Sequence, residues 1–497
     1  MFAALVFAPT LASAQDIVTS PRPEAVAVTV YRNPYRGPAE QLETRWLGGY
    51  ALVSETRHVR LPPGSSVLRF EGVASGILPQ SAIVSGLGGA GIERNRDAYL
   101  LSPGTLLDRS LGERLQLRRT SKATGKVIEQ DAIVRTSANG GMVVETAGGI
   151  EALRCTGQSE TLLYDGVPKD LSARPTLSVK VRSPTAVDAI VTLSYLASGF
   201  DWQANYVARI NAAGDRLDLS AWLTLASSDQ TSFVAARTSA VAGRLNRESA
   251  EIAPAQSRGI TLNCWPQGTT GDPDRALRRP APPAPPAPPP PPMVERSDFA
   301  AESIVVTGHR FARRENLGDL KLYAIPEPVT VAAKSQKQVA MIEQRGVKVG
   351  VVYRARLEVG QEFDEAATRT LVTRNRLVEG LGLPLPAGGV ILFGDRDGTP
   401  LLIGQGSVDD KAVGEDVAIA VGTAPGVRVK QRALADGWWE IAVTNDALAP
   451  VRFEGVIAND GASLRTRTRL GRRDGEPLWA VTVPAQGSAT LRYRKPA

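Results

Sequence analysis

Apolar and polar residues alternate along most of this chain, and the alternation is broken at short intervals by Gly, Pro, Asn or Asp. Stretches such as "VAVTVYRNPYRG", "GYALVSETRHVRLPPGSSVLRFEGV" and "TLSVKVRS" carry a period of two. That period places successive side chains on opposite faces of an extended backbone, the pattern of a half-buried strand. The 47 Gly and 35 Pro among 497 residues disfavour helix interiors and supply turns. The chain is therefore expected to be all-β and multi-domain, built of antiparallel β-sandwich modules. The only stretch that suggests a helix is "QEFDEAATRTLVTR", residues 361–374.

The opening "MFAALVFAPTLASAQD" reads as a secretory signal, with an apolar core from Phe2 to Leu11 and an Ala12-Ser13-Ala14 cleavage site. A signal peptide over 1–14 sends the mature chain to a periplasm or outer envelope. No later stretch approaches the roughly 20 apolar residues that a membrane-spanning helix needs. In an oxidising compartment the two cysteines, Cys155 and Cys264, are expected to form a disulfide, two unpaired thiols being the alternative.

Turn signals and composition divide the rest. A β-sandwich is expected over 15–105, and a small hairpin-rich β-barrel over 106–155. There "KATGK" and "SANGG" mark tight turns. A C-terminal β-sandwich region follows in two parts, 156–278 and 318–497. A Pro-rich insertion over 279–317 separates them. The tract from Pro280 to Pro292 holds only Pro and Ala, and in polyproline II it would extend roughly 40 Å.

The segments "SYLASGFDWQANYVARI", "NRLVEGLGLPLPAGGVILFGDRDGTPLLIGQGSVDDKAVGEDVAIAVG" and "PLWAVTVPAQGSATLRYR" resemble the mucoidy-inhibitor-like family of bacterial exported proteins. The C-terminal module of that family is known as domain of unknown function 4139. The resemblance covers roughly Thr176 to the C-terminus, and its most specific part is the Gly-Leu-Pro-Leu-Pro-Ala-Gly run. It implies an envelope role and one C-terminal module that begins before the proline tract and ends after it. The tract should then interrupt a domain without dividing two. Many members carry a coiled-coil-like segment where this chain has its hairpin-rich stretch, so a role of that segment does not transfer.

Catalytic and metal motifs are absent from the sequence. His58 and His309 are the only histidines, too few for the common zinc sites. "GLGLPLPAGG" lacks the Gly-Lys-Ser/Thr ending of a phosphate loop, and its prolines remove backbone donors, so it reads as a structural turn. "GDRDGTP" places Asp395 and Asp397 as a calcium loop would, but without the later acidic ligands it reads as a hairpin turn. No cofactor and no metal are expected.

Two features point to contact surfaces. Trp438 and Trp439 are neighbours on an expected strand and must face opposite ways, one toward a core and one toward solvent or an edge. Val305 and Val306, in "ESIVVTGHR", form an extended apolar stretch able to add a strand to a partner's sheet or to rejoin this chain's own. The net charge of +7 comes from 58 basic and 51 acidic residues. Basic runs flank the proline tract, as solvated linker charge or as contacts for anionic envelope polymers. No basic patch with interleaved aromatics suggests nucleic acid. The expected activity is non-catalytic binding or scaffolding, with an envelope protein or polysaccharide as partner. A polysaccharide- or peptidoglycan-acting hydrolase and a carbohydrate-binding protein are the alternatives.

Overall fold

Pairing between segments far apart in the chain organises the structure. The computed structural model describes residues 16–87, 93–97, 101, 103–120, 124–136, 142–153, 159–168, 171–243, 311–317, 320–396, 398–458 and 464–494. Among the described residues strands make up 66% and helix 4%, so the all-β, multi-domain expectation holds. The contacts divide the chain into two units, and the first contains Glu55–Tyr195 while the second contains Val26–Ser54 and Leu196 onward.

In the first unit, four strands form a sheet in the order Asp16–Ser20, Gly64–Glu71, Thr176–Ser183, Glu93–Asp97. Thr176–Ser183 runs antiparallel to both of its neighbours. Leu68, Phe70, Leu177 and Val179 point inward and are buried. A second sheet has five antiparallel strands in the order Gly149–Leu153, Met142–Thr146, Val127–Thr136, Arg114–Thr120, Ser159–Tyr164. Leu115, Leu117, Val134 and Val144 form its core, and Leu107 covers it from the helix Pro103–Arg109.

Fully buried charge sits in the core of this unit. Glu55 and Arg57 are adjacent on one face of the strand Gly49–Leu61, and both are inaccessible to solvent. Arg57 Nε donates to Glu55 Oε2 at 2.7 Å. Its Nη1 and Nη2 donate to the carbonyls of Ser20 and Glu71, both at 2.8 Å. Tyr195 Oη donates to Glu55 Oε1 at 2.7 Å and accepts from the amide of Ala74 at 3.0 Å. Burial pushes the Glu55 carboxyl up, against the opposing pull of Arg57 and Tyr195. A buried ion pair survives desolvation only when its remaining polar atoms are bonded, and here they are.

The second unit contains part of a large sheet. Phe233–Ala242 lies between Leu320–Ala324, antiparallel, and Ala25–Tyr31, parallel. The long strand Val187–Ile210 pairs from Phe200 onward with Arg216–Ser227, which in turn pairs with Ser335–Lys348. Trp202 is buried in this layer, its Nε1 donating to the carbonyl of Val241 at 2.9 Å. A separate sheet of nine strands runs from Arg465–Thr466 to Gly471–Arg473 and curls, because its two edge strands are joined by residues 467–470 alone. Leu357, Val429, Ile441, Phe453, Trp479 and Tyr493 fill its interior.

Several expectations need correction. The sheets are not purely antiparallel: Asp16–Ser20 with Gly64–Glu71, Ala25–Tyr31 with Phe233–Ala242, Val187–Ile210 with Gly388–Arg396, and Gly350–Glu358 with Val451–Ala458 are parallel. Each parallel pair is joined through a long crossover, as parallel pairing requires. The boundaries at 105 and 155 also shift. Thr176–Ser183 and the start of Val187–Ile210 belong to the first unit, Val26–Ser54 to the second, and the fifth strand of the five-stranded sheet lies past Cys155. Residues 363–374 of the suggested helix form a strand, Phe363–Arg374, paired on both edges. Ladder bonds on two sides outweigh the modest helix preference of its Glu and Ala. A real helix, Pro103–Arg109, starts instead on a proline, which suits a first helical turn.

The proline tract lies outside the described residues. Phe233–Ala242 before it and Leu320–Ala324 after it are antiparallel neighbours in one sheet, so the chain returns to the sheet it left.

The buried network makes the Tyr195 hydroxyl a structural donor. Tyr195→Phe should destabilise the protein by about 1–3 kcal/mol, because it leaves a buried carboxylate oxygen and a buried amide without their partner. Urea denaturation reads this directly, and an unchanged midpoint would show the hydroxyl to be dispensable.

Acid stability rests in part on the nine-stranded sheet. Burial raises the Glu454 carboxyl, but Arg473 and Arg354 outweigh it and hold the group below its ordinary value of 4.5. A carboxylate depressed in the folded state contributes stability above the unfolded value, and that contribution is lost as pH falls through the folded value. Glu454→Gln should therefore lower stability at pH 7 and flatten its decline below about pH 4.5. Thermal unfolding between pH 7 and pH 3 measures both effects.

Candidate functional site

Prolines at 384 and 386 leave the run "GLGLPLPAGG" with few backbone donors. Its conformation must then be set by groups that come to it from elsewhere. The strand Phe363–Arg374 ends at Asn375, which is inaccessible to solvent. Asn375 Oδ1 accepts from the amides of Gly382 at 3.0 Å and Leu383 at 3.2 Å. Its Nδ2 donates to the carbonyls of Leu383 and Ala412, both at 2.8 Å. The Asn375 amide donates to the Glu415 carbonyl at 2.8 Å, and its carbonyl accepts from Gly414 at 2.7 Å. One buried side chain thus closes the loop on itself and on the segment 412–415.

The remaining polar groups of the loop are matched one by one. Leu385 exchanges two backbone bonds with Lys411. The Ala387 amide donates to Asp410 Oδ1 at 2.9 Å. Tyr323 Oη donates to the Pro384 carbonyl at 3.3 Å and Tyr206 Oη to the Pro386 carbonyl at 2.6 Å. Arg32 Nη1 donates to the Ala387 carbonyl at 3.4 Å, while its Nη2 pairs with Asp410 Oδ2 at 2.5 Å. From Leu383 to Ala387 every amide and every carbonyl has a partner, which is the condition for burying irregular backbone. Burial raises both tyrosines, Tyr206 well above its ordinary value. Both hydroxyls therefore remain protonated donors.

Gly382 is required at its position. Its φ is +79°, and a Cβ there would lie 2.9 Å from the Leu377 nitrogen. The tight return it allows projects the turn Leu377–Glu379 outward. Leu377 is 83% exposed and Val378 72%. Val413, between the two residues bonded to Asn375, is also exposed. Beneath the loop, Tyr206, Leu381, Leu385, Val347 and Ile419 line an apolar cavity of about 20 Å³. That volume is of the order of one water molecule. The site is therefore a displayed surface on a pinned loop, without a ligand-sized pocket.

The tryptophans divide between faces as alternation demands. Trp439 is partly buried, packs against the core of the nine-stranded sheet and lies opposite the buried Tyr493. Trp438 lies opposite the exposed Arg494 and is half-buried. Trp202 is in the core, whereas Trp222, on the paired strand, is half-buried. Cys155, Cys264, Val305, Val306 and His309 lie outside the described residues. His58 pairs with Asp188 on an exposed strand face. Asp395 accepts from the Gly398 amide at 2.9 Å, between strands Gly388–Arg396 and Thr399–Val408 that pair as a hairpin.

The well-placed carboxylates of the second unit are held by arginines. Glu440 is gripped by Arg432 and Arg492, whose hydrogen bonds hold it below the usual carboxylate range. Glu454 is held by Arg354, Arg452 and Arg473. Among the described residues no group of three or more His, Cys, Asp and Glu side chains is placed to hold a metal ion. No protein-family model and no curated protein matches the chain.

Sequence reasoning read the proline run as a turn and missed its clamp. The signal available was the shortage of donors within the run. The identities of Asn375, Asp410, Tyr206, Tyr323 and Arg32 as the groups that answer it carry no local mark.

Asn375→Ala should destabilise the protein by about 3 kcal/mol or more, since it strands several buried backbone groups at once. Native-state hydrogen exchange gives the sharper reading: the Gly382 and Leu383 amides should lose protection before the neighbouring strands do. Unchanged protection at both amides would remove Asn375 as the clamp.

Proposed function

We propose that the chain is a non-catalytic binding or scaffold protein of the bacterial cell envelope, related to the mucoidy-inhibitor-like family that its C-terminal sequence resembles. The leader-like opening residues support export. The observation that carries the binding role is the exposure of Leu377 and Val378, 83% and 72%, on a turn anchored by fully bonded backbone. Asn375 pins the backbone beside the turn, so a partner that covers Leu377 and Val378 has little further main chain to order. With the exposed Val413 nearby in the bonded segment, they offer apolar area for a protein partner to cover. The arginine-bound carboxylates at 440 and 454 favour a structural role, because a general acid is raised toward neutrality and these are depressed.

The test is photo-cross-linking in living cells, with a photoreactive residue at position 377 or 378 and, as control, at the equally exposed Leu448. A discrete protein adduct from the first two positions, absent from the third and lost in Leu377→Asp/Val378→Asp, is the expected result. The double substitution should leave thermal stability within about 0.5 kcal/mol of the parent. Equal adducts from all three positions would set the docking role aside.

A further inference from the structure

The outer face of the nine-stranded sheet carries two neighbouring cross-strand rows of charge, and among the described residues only one is neutralised. In the first row Arg432, Glu440 and Arg492 lie directly opposite one another on adjacent strands. Glu440 sits between the two guanidiniums and bonds both, at 2.6 and 2.8 Å. Two residues along, the next row on the same face reads Trp438, Arg494, Arg465. Here two arginines stand directly opposite each other with no carboxylate between them. Like charges in that position destabilise a sheet. The adjacent row shows that this fold neutralises such arginines where it needs to.

The excess charge continues past the row. Arg467 and Arg469 follow Arg465 in the chain and are exposed. Among the described residues, none of Arg465, Arg467, Arg469 and Arg494 forms an ion pair or a side-chain hydrogen bond. Toward the described residues each guanidinium leaves its planar fork of donors unused, a geometry suited to a carboxylate or other oxyanion. The half-buried indole of Trp438 stands at the end of the row, and its neighbour Trp439 packs against the core from the other face of the strand. An indole face beside unpaired guanidiniums suits a ligand with both a flat apolar face and an anionic group, and a carboxylated sugar has both.

We propose that this face binds an acidic polysaccharide, with Arg465, Arg467 and Arg494 taking its carboxylates and Trp438 lying against a sugar ring. The surface is a convex strand face with one indole, unlike the stacking series along a groove that single-stranded nucleic acid uses. The strands Trp438–Asn445, Arg465–Thr466 and Gly487–Arg494 carry no exposed large hydrophobic residue that could enter a bilayer. The site is separate from the Leu377 turn, and its test does not depend on a protein partner.

Purified protein is titrated with polygalacturonate, neutral dextran, duplex DNA and phosphatidylglycerol vesicles at fixed ionic strength. The expected result is binding to polygalacturonate that weakens as salt rises, with none to dextran. Arg465→Gln/Arg494→Gln should weaken it by about tenfold or more, and Trp438→Ala should weaken it further without altering the salt dependence. Arg313→Gln/Arg314→Gln removes the same charge from a different strand and should leave binding unchanged. Thermal unfolding of each variant separates loss of binding from loss of fold, and Arg467→Gln/Arg469→Gln lies outside regular strands as a second check. Equal loss in the Arg313/Arg314 control, no loss in Arg465→Gln/Arg494→Gln, or tighter binding to DNA or vesicles than to polygalacturonate would overturn the proposal.

Discussion

Backbone amides in a chain that is nearly all strand must find partners across the sheet, and in this protein those partners are far away in sequence. Thr176–Ser183 completes a ladder begun by Gly64–Glu71, and Phe233–Ala242 lies beside Ala25–Tyr31. A strand left without a neighbour exposes a row of donors and acceptors, which is costly when buried and a hazard when open. The need to satisfy those rows explains why the units are assembled from non-contiguous segments. It also explains the parallel pairings among the described residues, since a strand returning over a long crossover can enter a sheet in either direction.

Where ladders stop, buried side chains take over the same task. Asn375 spends both amide hydrogens and its carbonyl oxygen on loop backbone. Tyr206, Tyr323 and Arg32 answer the carbonyls that the proline run presents. In the first unit Arg57 performs the equivalent service for the carbonyls of Ser20 and Glu71, with Glu55 and Tyr195 balancing its charge. These networks hold because every member is bonded, and such networks specify geometry more than they add stability. The turn at Leu377 is thus presented by a base whose backbone groups from Leu383 to Ala387 are all bonded.

The two proposed surfaces use different physics. The turn at Leu377 and Val378 offers apolar area on a fixed support, where the gain on binding comes from removing aliphatic groups from water. The row at Trp438, Arg494 and Arg465 offers unpaired charge beside an aromatic face, where the gain comes from charge-assisted hydrogen bonds and depends on salt. Neither proposed role calls on a reacting group. The depressed carboxylates of Glu440 and Glu454 fit that reading, because each is bonded by arginines from more than one strand.

Period-two alternation, turn residues and the opposite facing of Trp438 and Trp439 were legible from the residues alone, because side-chain direction along a strand is a property of the local backbone. The hairpin at "GDRDGTP" was legible for the same reason, its turn chemistry being contained in a few residues. The strand at 363–374 was not, since its composition leaves helix and strand nearly balanced and two flanking strands tip the choice. Strand partners, the unit boundaries, the Asn375 clamp and the unneutralised row of Arg494 and Arg465 came only with the tertiary structure. Each is a relation between residues tens to hundreds of positions apart. No local pattern encodes which distant strand a given edge will meet, so the charges and hydroxyls that such meetings bring together stay hidden until the sheets are assembled.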